Sequence, residues 1–97
     1  MFRIIINPNA ESDSTETAIW YNLQREGLGE EFLLALEAKL NEIQRNPNQC
    51  MTTYKNVKRA FLKRFPFGVF FIIEGNTIYI LAIVHTSRSP KIWQKRK

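Results

Sequence analysis

Hydrophobic positions change period three times along the chain, and each change marks an element. Phe2 to Ile6 is rich in β-branched residues and stops at Asn7-Pro8, the pattern of a short buried strand. Asn7 is placed to cap a helix, with Pro8 at the first helical position, where a missing N–H costs nothing. Glu11, Asp13 and Glu16 then sit near the positive end of that helix's dipole. Ile19, Trp20 and Leu23 form its expected apolar stripe, and Gly27 ends it. From Glu30 to Arg45 the apolar residues Phe32, Leu36, Leu40 and Ile43 recur at helical spacing, with Leu33 beside them, until Asn46-Pro47 stops the run. The joint Gly27-Leu28-Gly29 is short, which predicts an antiparallel helical hairpin.

The second half reads as strands. Lys55 to Phe65 is a basic strand in which charges alternate imperfectly with Val57, Ala60, Phe61 and Leu62. Phe67–Glu74 and Thr77–His85 are dense in aromatic and β-branched residues, so both are expected in the sheet centre, buried on two faces. Gly75-Asn76 joins them as a tight hairpin, because glycine accepts positive φ at little steric cost. Pro90 then opens a short helix or turn carrying Lys91, Trp93, Lys95 and Arg96. The predicted fold is α+β in the order βααβββ: a mostly antiparallel sheet with the N-terminal helical hairpin on one face, in a single domain spanning 1–97.

Charge changes this picture. Residues 1–54 hold eight acids and four bases, whereas residues 55–97 hold one acid, Glu74, and ten bases; the net charge is +5. So lopsided a field points to an anionic partner, the alternative being a solvated basic tail that keeps the protein soluble. Phe61, Phe65 and Trp93 interleave with the bases, which favours a partner. Composition is that of an ordinary globular protein. Cys50 is alone, so no internal disulfide can form, and no apolar run reaches membrane-spanning length; a cytoplasmic location is expected.

Little in the chain resembles familiar catalytic chemistry. One histidine and one cysteine far apart give no metal-ligand spacing, and no glycine-rich phosphate loop is present, so neither metal nor cofactor is expected. Glu30-Glu31 opens a helix and suits its dipole better than acid–base work. What remains is polar chemistry at strand ends. Arg59 and Arg64 lie on the basic strand, His85 ends the last strand and Arg88 follows three residues on. Arginines so placed can clamp a phosphodiester and stabilise charge on phosphorus, and an imidazole can move a proton near neutrality. The plainer readings are a strand-end imidazole bonded to backbone, an Arg88 paired with the acidic helices, a Trp93 that lids the core, and a solvated 95–97 tail.

Taken in order, the segments Ala18–Gln24 (AIWYNLQ), Tyr54-x-x-Val57-Lys58-Arg59, Arg64-Phe65-Pro66-Phe67-x-Val69-Phe70-Phe71, and Ile78 to Arg96 (IxILAIVHxxRxPxxWxxR) resemble the ParE/RelE toxin superfamily, its ParE-like plasmid-stabilisation branch above all. The resemblance implies a βααβββ fold and the toxin of a type II toxin–antitoxin pair. It also implies a cognate antitoxin that wraps the toxin with an acidic, partly disordered segment in a hetero-oligomer. RelE-like members cut mRNA in the ribosome; ParE-like members poison DNA gyrase. Aligned on the Phe65-Pro66-Phe67 segment, Gly68 stands where the nucleases place an arginine and Phe61 where they place a second lysine. Arg59 keeps the first basic position and Arg88 the arginine after the last strand, but Ile92 and Trp93 stand where a tyrosine would follow. The resemblance therefore favours gyrase inhibition through Arg59, Arg64, His85, Arg88, Lys91, Trp93, Lys95 and Arg96 as target or antitoxin contacts. The alternatives are a ribosome-dependent nuclease using Arg59, His85 and Arg88, and an inactive relative that keeps only antitoxin affinity. Plain nucleic-acid binding by the basic half is a fourth reading.

Overall fold

A computed structural model describes residues 1–96. The chain runs β1 (Arg3–Ile6), α1 (Pro8–Gln24), α2 (Leu28–Arg45), a 3-10 turn (Pro47–Gln49), β2 (Met51–Tyr54), β3 (Val57–Phe61), β4 (Phe67–Glu74), β5 (Thr77–His85) and α3 (Lys91–Gln94). One five-stranded sheet has the order β1-β5-β4-β3-β2; β1 lies parallel to β5 and the other pairs are antiparallel. The α+β fold with its N-terminal helical hairpin is as the sequence predicts. So is the central place of β4 and β5, where Val69, Phe71, Ile78, Ile80 and Ala82 are fully buried. Each such Val, Ile or Phe contributes about 1.5–3 kcal/mol by leaving water. Glu74 pairs with Thr77 across Gly75-Asn76, and Gly75 has φ +60°, which a side chain rarely tolerates.

The basic strand expected over Lys55–Phe65 is present but shorter, as β3 over Val57–Phe61, and an unexpected strand, β2, precedes it in a hairpin. β2 pairs with β3 through a turn at Lys55, whose φ is 50°. Beyond Phe61 the chain leaves the ladder and returns at Phe67. β2 carries no alternating apolar pattern because it is the sheet's edge, with Met51 and Thr52 exposed, and its stability comes from the ladder to β3. β1 is likewise an edge strand, with Ile6 39% exposed, and not the fully buried strand expected.

α1 reverses its expected face. Ile19, Trp20 and Leu23 are exposed, while Ala10 and Ala18 are buried with Asp13, Ser14, Thr17 and Tyr21 half-buried beside them. The physical reason is close approach. A Cβ on Gly29 would collide with the Ala18 carbonyl oxygen, so the hairpin helices touch through their smallest residues. The Gly29 N–H donates to Asn22 Oδ1 at 2.7 Å and ties the start of α2 to α1. Asn7 precedes α1 as expected, but its side chain makes no capping bond; its N–H continues the ladder to the Ile80 carbonyl at 3.0 Å.

The sheet is covered on both faces. On the helical side Phe32, Leu36 and Ile43 of α2 pack with Phe67, Val69, Phe71, Ile78, Ile80 and Ile83. On the other side Val57, Phe70, Leu81, Ala82 and Val84 pack under Trp93 of α3. The Trp93 ring stacks on Phe70 at 4.6 Å and 11°, and meets Tyr54 edge-on at 5.9 Å. No helix among the described residues is long and apolar enough to cross a membrane.

Candidate functional site

Two hollows meet at the C-terminal end of β5. The smaller, of about 140 Å³, lies on the α3 side of the sheet and is lined by Thr53, Arg59, Phe61, His85, Arg88 and Trp93 among others. The larger, of about 340 Å³, lies between α1 and α3; its lining includes Asp13, Glu16, Trp20, His85, Arg88 and Arg96. His85 and Arg88 border both.

The elements place these side chains by strand alternation and by one turn. Arg59 pairs with Phe70 across the β3–β4 ladder. Its guanidinium stacks on the Phe61 ring at 4.6 Å and donates to Met51 Sδ at 3.3 Å, so it is lightly held. Phe61 is itself 46% exposed, a rare large aromatic left open at the rim. His85 packs edge-on against Phe67 at 5.3 Å. The chain then turns sharply: Arg88 N–H donates to the His85 carbonyl at 3.0 Å, and Ser87 N–H donates to His85 Nδ1 at 3.0 Å. A backbone N–H can only donate, so Nδ1 carries the lone pair and the proton of the neutral ring sits on Nε2. Arg88 is exposed and has no side-chain partner among the described residues.

Arg59, His85 and Arg88 border one hollow; Trp93 lines it too and Arg96 lines the larger one, whereas Arg64 lies elsewhere. Arg64 pairs with Glu31 at 2.9 Å and borders a separate groove of about 360 Å³ with Lys63, Leu34, Ala35 and Ala38. The hydrogen bond from Arg64, aided by the charge of Arg25, holds the Glu31 carboxyl below its ordinary range. Trp93 is buried, 5% exposed, and serves as the lid over the second core, its ring stacked on Phe70 beneath the smaller hollow. Lys91 at the start of α3 and Lys95 just after it are exposed and line neither hollow. Arg96 is not a solvated tail residue: it turns inward to Asp13. Lys97 lies outside the described residues. Asp13 was legible only as a helix-dipole acid; nothing in its spacing indicates a partner 83 residues away.

Gly68 bears on the chemistry. A Cβ there would stand 3.1 Å from the Phe70 ring and 3.4 Å from the Phe61 ring. The two aromatics fill the space that a longer side chain at 68 would need, so no cation enters the hollow from this position. Burial pushes the Cys50 thiol up, away from nucleophile chemistry at neutral pH. No cluster of metal-ligating side chains occurs among the described residues.

Comparison with known proteins agrees with the fold. A solved structure described as the chromosomal ParDE TA system from P. aeruginosa superposes with a TM-score of 0.76 at 22% identity, covering 88% of this chain and 96% of that one. No curated protein sequence matches. Residues 4–90 match the family described as the ParE toxin of the type II toxin–antitoxin system parDE. With most of its length matched, this chain belongs to the ParE toxin family.

Proposed function

We propose that this ParE-family toxin inhibits DNA gyrase by binding and stabilising a gyrase–DNA state, and that a cognate antitoxin with an acidic segment neutralises it in a hetero-oligomer in the cytoplasm. One observation carries the choice of gyrase: Gly68, roofed by Phe61 and Phe70, leaves the hollow with Arg59 and Arg88 as its arginines. Phosphodiester cleavage needs several groups acting together, and loss of two or three removes most of the rate. Binding needs only charge and shape, which Arg59, Arg88 and the exposed Lys91 and Lys95 supply. Purified toxin in excess over gyrase should block supercoiling of relaxed plasmid and leave a trapped cleavage product. Full supercoiling with no trapped product removes this reading.

A second reading rests on His85. It shares one hollow with Arg59 and Arg88, the minimum for a proton-transfer group beside a phosphate clamp. If that hollow cuts mRNA, mapped message ends in a translating extract should change with added toxin, and His85→Ala and Arg88→Ala should abolish the change. Gyrase inhibition that survives His85→Ala decides for the first reading.

A further inference from the structure

Two backbone groups of β5 lack a strand to pair with, and a single ion pair meets both. Phe70 faces Ala82 and Phe71 faces Ile80, so Leu81 is the extra residue of a bulge. A bulge disrupts the ladder and shifts the phase of the strand beyond it. The helix-side core accordingly takes Ile78, Ile80 and then Ile83, while Leu81 and Ala82 both join the opposite core. β1 ends at Ile6, opposite Ile80, and leaves the edge of β5 beyond that point without a neighbouring strand. There Asp13 Oδ2 accepts the Ile83 N–H at 3.0 Å, and Arg96 Nη1 donates to the Leu81 carbonyl at 3.3 Å. The same two side chains pair with each other, Nη1 to Oδ2 at 2.5 Å and Nη2 to Oδ1 at 3.3 Å. Both are mostly shielded, at 16% and 21% exposure, where a two-point charge-assisted pair outlasts a surface salt bridge.

This staple joins α1, β5 and α3 at one point. α3 is only four residues long, and its other anchor is Trp93 on Phe70. The turn from His85 to Pro90 hangs between the β5 ladder and α3 and carries Ser87 and Arg88. We infer that Asp13 is a positioning residue for the Arg59–His85–Arg88 hollow, which it does not line: through Arg96 it fixes α3, and α3 fixes the turn. The inference rests on the fold and the hollow, not on gyrase being the target.

The chain's one histidine makes the test specific. In wild-type protein at pH 8, imidazole nitrogen NMR should show one neutral tautomer with the proton on Nε2. Asp13→Asn and Arg96→Gln should each give a tautomer mixture, and should speed amide exchange of Gln94 and Lys95 at least tenfold while Ile80 stays protected. Glu37→Gln, which makes the same charge change as Asp13→Asn on an exposed site of α2, should alter neither readout. Arg96→Gln leaves the Asp13 bond to Ile83 in place, so it keeps the test valid if Asp13→Asn does not fold. Folded variants with a wild-type imidazole spectrum overturn the inference. In the supercoiling assay both variants should need about tenfold more toxin, and unchanged potency beside a disturbed His85 overturns the functional half. A wild-type chain inert toward gyrase defeats the gyrase reading alone; the spectrum still decides this one.

Discussion

At the scale of single residues, two glycines set what the chain can do, for opposite reasons. Gly68 keeps the hollow short of a cation by letting two aromatic rings close over it. Gly29 lets α1 and α2 meet, and here the expected cost of change is large. Alanine is the better helix former by about 1 kcal/mol. Its methyl, however, would collide with the Ala18 carbonyl oxygen and with Asn22 Cγ at 2.7 Å, and backbone cannot move aside as a side-chain tip can. Overpacking of this kind costs about 1–3 kcal/mol. Gly29→Ala should therefore be less stable by about 2 kcal/mol in urea unfolding, despite the gain in propensity. Equal or higher stability would mean that the hairpin opens freely and that its close contact is not needed. His85 belongs to the same scale. Its tautomer is set by Ser87, whose backbone N–H donates to Nδ1 at 3.0 Å and whose hydroxyl lies 2.8 Å from the same atom, contacts that a sequence position alone does not reveal.

At the scale of elements, what could be read from the sequence depended on whether an element's signal is its own. β4, β5 and α2 bury their own large side chains, so their periods carried the assignment. β2 is held by its neighbour, and its Met-Thr-Thr-Tyr sequence gave no sign of it. The pattern of α1 misleads because Ile19, Trp20 and Leu23 face solvent: where the helix meets Gly29 only Ala18 fits, and the large side chain it turns inward is Tyr21, against Phe32, Phe65 and Phe67. Of the Arg59–His85–Arg88 cluster, His85 ends β5, Arg88 follows it by three residues and Arg59 lies mid-strand on β3, so their sequence positions point to one region; the place of Arg96 does not show in the sequence, since its partner lies in α1. The inverted face of α1 makes a paired prediction. Leu23, 78% exposed, should change to Ser with less than about 0.5 kcal/mol effect, as surface sites do. Ala18→Leu adds volume where no space exists and should cost about 1–3 kcal/mol. Thermal melts of the two variants decide it: a larger drop for Leu23→Ser would restore the face that the sequence suggested. Exposed Ile19, Trp20 and Leu23 also give α1 an apolar surface that the fold itself does not use.

Over the whole molecule, the question is whether the acidic helices cancel the basic half. The particle measures 40 × 28 × 22 Å. At physiological salt a charge is screened over about 8 Å, well short of the smallest dimension. Acidic groups on α1 and α2 therefore neutralise only the cations they touch, as Glu31 does Arg64 and Asp13 does Arg96. Lys55, Arg88, Lys91 and Lys95 remain exposed with no ion-pair partner among the described residues, and theirs is the field that the proposed acidic segment would meet. Steering of this kind acts on the association rate and falls as salt rises, while dissociation depends on contacts already made. For the proposed antitoxin, the association rate should fall about tenfold between 0.05 and 0.5 M salt, with dissociation nearly constant. Lys91→Glu together with Lys95→Glu should slow association further and flatten its salt dependence, whereas Arg64→Gln, which removes an already paired charge, should matter little. Stopped-flow mixing at several salt concentrations separates the two rates. A salt dependence carried by dissociation instead would place the recognition in shielded ion pairs, such as the one Arg96 makes with Asp13 within the chain, and not in the open basic face.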